Sequence, residues 1–150
     1  EMGVDMTVKN NSITINKPDK YKAINVKTLV FPGFATDLGQ PMSVLLTQAD
    51  GMSIFEETIY ENRMGHIKYL QKMGANIRVN DRTAIIVGKT PLKGEEVVAT
   101  DLRAGAAMVI AGLIAKGTTK VNEIEHILRG YENIVEKLTG VGADISIKED

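Results

Sequence analysis

"ATDLRAGAAM", residues 99–108, opens an apolar run with an acid and an arginine two positions apart, Asp101 and Arg103. The same four letters stand earlier, in "ATDLGQPMSV" at 35–44, where Gly39 takes the place of the arginine. Outward from this echo, two blocks align. The first reads "TDLGQPMSVLLTQADGMSIFEETIYENRMGHIKYLQKMGANIRV" and the second "TDLRAGAAMVIAGLIAKGTTKVNEIEHILRGYENIVEKLTGVGADISI". Asp37 matches Asp101, Gly51 matches Gly117, Arg63 matches Arg129, and "GANI" from 74 matches "GADI" from 142. The Asp-to-Asp spacing of 64 residues is too long for a short solenoid repeat and suits a small α/β unit.

Both blocks have the same internal grammar. A β-branched segment leads in, at 23–31 or 95–100, and an apolar helix follows, "PMSVLLTQA" or "RAGAAMVIAGLIA". Pro41 suits the first turn of a helix, where its missing N–H is no loss, so Asp37 belongs to the turn before that helix. Gly51 and Gly117 are expected to end the helices as left-handed C′ residues. "SIFEETI" and "TKVNEI" alternate in polarity like strands. "HIKYLQKM" and "YENIVEKLTG" space apolar residues three and four apart, as a second, amphipathic helix does. It stops at Gly74 or at the Gly140–Gly142 pair. "ANIRVNDRTAIIV" then reads as a hairpin turning at "VNDRTA".

The unit is therefore β-α-β-α-β-β, and the fold class is α/β. The opening "EMGVDMTVKNNSITI" reads as the end of such a unit, with "KNNS" as its turn, and the last block lacks its closing strand. Residues 1–22 are the tail of one repeat, 23–90 a second repeat, and 91–150 a third, incomplete one. A chain that begins mid-repeat and stops short is expected to be cut from a larger protein. A natural protein with a degenerate first repeat is the alternative.

The 150 residues suffice for a domain with a real core, and the composition, 43% apolar and 25% charged, is globular. A net charge of -1 gives no sign of a general polyanion-binding surface. Cysteine is absent, which removes disulfides, zinc-thiolate sites and a cysteine nucleophile from this chain. No apolar run approaches the roughly 20 residues of a membrane span.

Asp37 and Asp101 have a plain explanation as helix-capping acids, each contributing about 1 kcal/mol. Arg63, Arg103 and Arg129 taken singly are ordinary solvated cations. Together they stand at segment junctions, and the guanidinium fork suits carboxylate and phosphate. With two carboxylates nearby as proton acceptors, the set suits a small, multiply charged anion. His66 and His126 lack metal-ligand spacing and read as ordinary helix or junction residues. "GKTPLKGEE" (88–96) lacks the first glycine of a P-loop and precedes a strand, so it is not a nucleotide site. Met42, Met64, Met73 and Met108 read as core filler.

"FPGFATDLGQP", "ETIYENRMGHIKYLQKMGA", "ATDLRAGAAMVIAGLIAKGTT" and "HILRGYENIVEKLTGVGA" closely resemble, in order and over essentially the whole chain, the UDP-N-acetylglucosamine 1-carboxyvinyltransferases of the enolpyruvyl transferase family. The sister family, 5-enolpyruvylshikimate-3-phosphate synthase, shares the repeated fold but not the "ENR…H…L…MGA" and "RGYE" strings. The resemblance implies a two-lobed enzyme, each lobe an inside-out barrel of three such units, of which this chain is the C-terminal part of one lobe. It implies transfer of enolpyruvyl from phosphoenolpyruvate to the 3-hydroxyl of UDP-N-acetylglucosamine, by addition and elimination, in cytoplasmic peptidoglycan synthesis that supports cell shape and division.

Carried over by residue, Asp37 corresponds to the carboxylate that contacts the sugar hydroxyl and serves as general base. Ile59 corresponds to a backbone contact to the UDP-sugar. Arg63, Arg103 and Arg129 correspond to the cations around the phosphoenolpyruvate carboxylate and phosphate, and Asp101 to the acid that supports the closed site and its proton transfers. No metal and no cofactor is implied, nor nucleic acid or a membrane. The partners are the two substrates and the other lobe, which supplies a Lys-Asn pair, a Cys- or Asp-bearing loop and further arginines. Alone, the chain is expected to be inactive and to self-associate across its cut edge. A shikimate-pathway-like transferase and a non-catalytic repeat-built binding module are the alternatives.

Overall fold

A computed structural model describes residues 1–148. In chain order it contains β1 (Asp5–Lys9), β2 (Ser12–Asn16), β3 (Tyr21–Lys22), β4 (Val26–Lys27), a 3-10 turn at Thr36–Leu38, α1 (Gly39–Leu46) and β5 (Ala49–Glu56). There follow α2 (Ile67–Lys72), β6 (Asn76–Asn80), β7 (Thr83–Gly88), β8 (Glu96–Val98), α3 (Leu102–Ile114), β9 (Lys120–Asn122), α4 (Glu125–Leu128) and α5 (Ile134–Gly140). No helix among the described residues is long and apolar enough to cross a membrane.

The repeat is visible as two parallel crossovers. β4 and β5 pair in parallel, Val26 opposite Phe55, with α1 between them in sequence. β8 and β9 pair in parallel, Val97 opposite Val121, with α3 between them. Parallel neighbours require such a connection, because a tight hairpin can only reverse the chain. The first unit completes a mixed sheet in the order β3-β5-β7-β6, with β4 also on β5. Its β6–β7 hairpin turns at Asp81–Arg82, as the "VNDRTA" reading requires.

α1 and α3 lie inside. α3 is apolar nearly all round, the pattern of a buried helix. Ala104, Ala107, Met108 and Ala111 of α3 are buried, as are Ser43, Val44 and Leu46 of α1. β7 turns Ala84 and Ile86 inward and leaves Ile85 and Val87 exposed, the alternation of a sheet covered on one side. Met73 and Met108 are fully buried, and Met42 and Met64 pack against the same core.

Several boundaries depart from the sequence reading. Gly51 does not cap a helix. It lies inside β5 with φ 112°, while α1 ends at Thr47, whose buried hydroxyl donates to the Val44 carbonyl oxygen at 2.7 Å. A side chain that satisfies a late helix carbonyl leaves no need for a glycine. Gly117 likewise lies beyond the C-cap of α3, which is Ala115 in extended conformation. Gly74, with φ 100° after the α2 C-cap Met73, does act as the left-handed C′ residue. Residues 143–148, aligned with β6, form no strand. β6 is held by its hairpin partner β7, and 143–148 have no such partner among the described residues. The last two residues of "SIKED" lie outside the described residues.

The β1–β2 hairpin stands apart from the core. Met6 faces Ile15 and Val8 faces Ile13 across the ladder, and these four side chains form an exposed apolar face.

The structure also explains why only one "ATDL" carries an arginine. A Cβ on Gly39 would lie 2.6 Å from Cζ of the buried Phe55 ring, so the α1 start is pressed against β5 with no room for a side chain. Gly39→Ala is expected to lower stability by about 1–3 kcal/mol, the cost of overpacking. Urea denaturation measures it, and Phe55→Leu in the same chain should recover part of the loss. An unchanged midpoint for Gly39→Ala would show that the ring yields freely.

Candidate functional site

Each parallel crossover places its strand-to-helix turn at the carboxyl end of the first strand, where open α/β sheets commonly bind ligands. The two acids matched by the repeat occupy these turns but behave differently. Asp101 is a true N-cap: its Oδ1 accepts from the amides of Arg103 at 2.8 Å and Ala104 at 2.9 Å. Asp37 caps neither the 3-10 turn nor α1. Its Oδ1 instead accepts from Arg63 Nη1 at 2.9 Å and from Arg103 Nε at 2.5 Å. The carboxylate thus joins two arginines, one from each repeat.

These two guanidiniums hold the Asp37 carboxyl at about 2, the hydrogen bond from Arg103 contributing most and that from Arg63 next. Arg63 is the more fixed of the pair. It also donates to Thr36 Oγ1 at 2.8 Å, and its guanidinium lies 4.0 Å above the centroid of the Tyr60 ring. Its side chain is 15% exposed, against 33% for Arg103. An open cleft of about 590 Å³ lies beside them, lined by Ile59, Tyr60, Glu61, Asn62, Arg63, Asp101 and Arg103. Arg129, the C-cap of α4, is exposed and does not line this cleft. Among the described residues, no group of three or more His, Cys, Asp or Glu side chains could hold a metal ion.

Beneath the cleft are residues that sequence reasoning missed. Glu57 is buried, and its carboxylate accepts four hydrogen bonds: from Thr28 Oγ1 at 2.8 Å, Thr36 Oγ1 at 2.7 Å, and the amides of Ile59 at 2.8 Å and Tyr60 at 3.1 Å. Burial pushes this carboxyl up, but the bonds from Thr36, the two amides and Thr28 together outweigh it and keep it below its ordinary value. A usable signal was present. Ser53 and Phe55 alternate inward along β5, and the same period carries Glu57 inward while Glu56 pairs with Lys27 on the outside at 3.0 Å.

His66 is wholly buried at the start of α2. The Ser43 hydroxyl donates to the Gln40 carbonyl oxygen at 2.6 Å, which leaves its oxygen to accept from His66 Nε2–H at 2.7 Å. Gln40 Nε2 in turn donates to the Arg63 carbonyl oxygen at 3.2 Å, so this network supports the loop that carries Arg63. Burial drives the imidazole down to about 4, against the smaller upward influences of the Arg63 backbone and the Asp101 charge.

Two repeats of a βαβ unit, joined at a carboxylate held by two arginines, define an α/β core of repeated units. The family model for EPSP synthase (3-phosphoshikimate 1-carboxyvinyltransferase) matches residues 1–138, and the chain belongs to this family of carboxyvinyl transferases. Among its relatives, UDP-N-acetylglucosamine 1-carboxyvinyltransferase 2 of Listeria innocua is 47% identical over 97% of this chain and 34% of its own length. UDP-N-acetylglucosamine 1-carboxyvinyltransferase of Clostridium botulinum is 54% identical over 97% of this chain and 35% of its own. In structure, the enolpyruvyl transferase NikO from Streptomyces tendae superposes with a TM-score of 0.90 at 30% identity, over 97% of this chain and 34% of that one. The chain therefore spans about a third of the relatives it matches.

Because His66 is neutral when folded and has an ordinary value of 6.5 when unfolded, the unfolded chain binds the extra proton between these limits. Stability is full above about pH 6.5 and declines as pH falls toward about 4. The loss should reach about 3 kcal/mol. Measuring urea stability from pH 7 to pH 4.5 checks this above the range where Asp37 and Glu57 contribute. A flat profile, or one unaltered by His66→Gln, would contradict it.

Proposed function

We propose that this chain is the part of a UDP-N-acetylglucosamine 1-carboxyvinyltransferase that presents the base and three of the cations to the reacting groups. The reaction joins the sugar 3-hydroxyl oxygen to C2 of phosphoenolpyruvate while a proton goes to C3. Loss of a C3 proton with the phosphate then leaves the enolpyruvyl ether. The observation that carries the reading is the junction of Asp37 with Arg63 and Arg103, contributed by successive repeats.

Asp37 accepts the hydroxyl proton. Among the described residues nothing donates a hydrogen bond to its Oδ2, and its side chain is 57% exposed, so that oxygen is open to substrate. With both arginines on it, Asp37 is a weak base. An anion that draws the guanidiniums away raises its basicity, so phosphoenolpyruvate binding prepares the base. Arg63, Arg103 and Arg129 serve the carboxylate and phosphate of that anion. Ile59 offers its backbone to the UDP-sugar from the cleft wall, and Asp101, while holding the start of α3, supports the proton transfers. Positioned cations that meet developing charge are the main source of rate in such chemistry. The surrounding biology in this reading is cytoplasmic peptidoglycan synthesis.

The chain alone is expected to give no phosphate release from the two substrates, because closure over both requires the opposing lobe. In a longer enzyme carrying this segment, Asp37→Asn should lower kcat by about 10²–10⁴-fold. Turnover by the chain alone at the full enzyme's rate, or an unaffected Asp37→Asn enzyme, would overturn the assignment. Turnover of shikimate 3-phosphate instead of the UDP-sugar would favour the sister activity.

The exposed apolar face of β1–β2 suits the remainder of such an enzyme, and on its own it suits a second copy. Sedimentation velocity over a hundredfold concentration range should show self-association that Ile13→Lys with Val8→Lys abolishes. A monomer throughout that range would contradict this.

A further inference from the structure

We propose that Glu57 and Thr36 are positioning residues for this site: the buried carboxylate orients the Thr36 hydroxyl as an acceptor, and that acceptor holds the Arg63 guanidinium against Asp37. The inference rests on the reading of Arg63 and Asp37 as site residues.

The direction of the chain of bonds follows from donor counting. A threonine hydroxyl has one proton, and an ionised carboxylate only accepts. Thr36 Oγ1 gives its proton to Glu57 Oε2 at 2.7 Å, so the side it turns to Arg63 Nη1, at 2.8 Å, is a lone pair. The same Nη1 reaches Asp37 Oδ1 at 2.9 Å. Thr36 and Asp37 are adjacent in the 3-10 turn, so one guanidinium nitrogen is clamped between neighbouring side chains.

Glu57 also acts from the other side. Its Oε1 accepts from the amides of Ile59 and Tyr60, which shapes the loop leading to Arg63. That loop carries the Tyr60 ring beneath the guanidinium. A single buried carboxylate therefore sets the arginine's partner, the path of its backbone and the aromatic surface under it. Thr28 supplies a contrast. It donates to Glu57 Oε1 at 2.8 Å and accepts from the Thr58 amide at 2.8 Å, yet it does not touch Arg63.

The test uses the isolated chain and two nuclear magnetic resonance readouts, the hindered Nη–H signals of Arg63 and the titration of the Asp37 carboxyl. Thr36→Val should collapse the Arg63 signals and move the Asp37 midpoint up from about 2 by up to about one unit, Arg103 remaining in place. Thr36→Ser should restore both. Thr28→Val removes a hydroxyl bond to the other oxygen of Glu57, away from Arg63, and should leave both readouts as in the parent chain. Retention of the Arg63 signals and the Asp37 midpoint in Thr36→Val would overturn the proposal. So would a Thr28→Val effect as large as that of Thr36→Val, which would mean general loosening. Neither readout uses a substrate, so failure of the parent enzyme to turn over the UDP-sugar would count against the functional reading alone.

Discussion

One carboxylate oxygen, Asp37 Oδ1, receives a guanidinium from each of two repeats. That meeting point depends on how a βαβ crossover is built. Both turns leave the carboxyl ends of their first strands, and both helices enter the same core, α1 beside α3. Two copies of one motif therefore bring residues 66 apart in sequence within hydrogen-bonding distance. The interaction is largely exposed, so it contributes little to stability. Its consequence is electrostatic: it sets how readily Asp37 can take a proton.

The copies diverged through packing. In the first repeat the residue two after the aspartate lies against the Phe55 ring, which disfavours any side chain there. In the second, the matching position holds Arg103, which reaches across to the first repeat. Asp101 is committed to the amides of its own helix, and Asp37, free of any capping duty, is available to the arginines. Sequence identity at "ATDL" thus conceals two different jobs.

Support for the site comes from polar groups placed where burial is costly. Glu57 and His66 are both nearly inaccessible, and each is tied to the loop that carries Arg63. Burying such groups costs free energy unless their bonds are made. Glu57 makes four such bonds and remains ionised. His66 makes one through Nε2, has no hydrogen-bond partner for Nδ1 among the described residues, and stays neutral instead.

The repeat, the β-α-β-α-β-β order of its first full unit, the two hairpin turns and the buried apolar helices α1 and α3 were legible in the sequence, because each is a local pattern of polarity, turn residues and self-similarity. The family was legible through four ordered motifs, and the repeat alignment paired Asp37 with Asp101 and Arg63 with Arg129, Arg103 having no counterpart. The roles of Asp37 and Asp101 were not separable there, since a capping acid and an ion-paired acid look alike in one dimension. Only the tertiary structure decided which was which, by bringing Arg103 to Asp37 and leaving Asp101 on its helix. It also decided that Gly51 lies inside a strand with a positive φ, and that Glu57 rather than Glu56 faces inward. The physical reason is common to all of these. Hydrophobic period and turn chemistry act between near neighbours, whereas the partner of a buried or shared charge is chosen by which segments the packed core brings together.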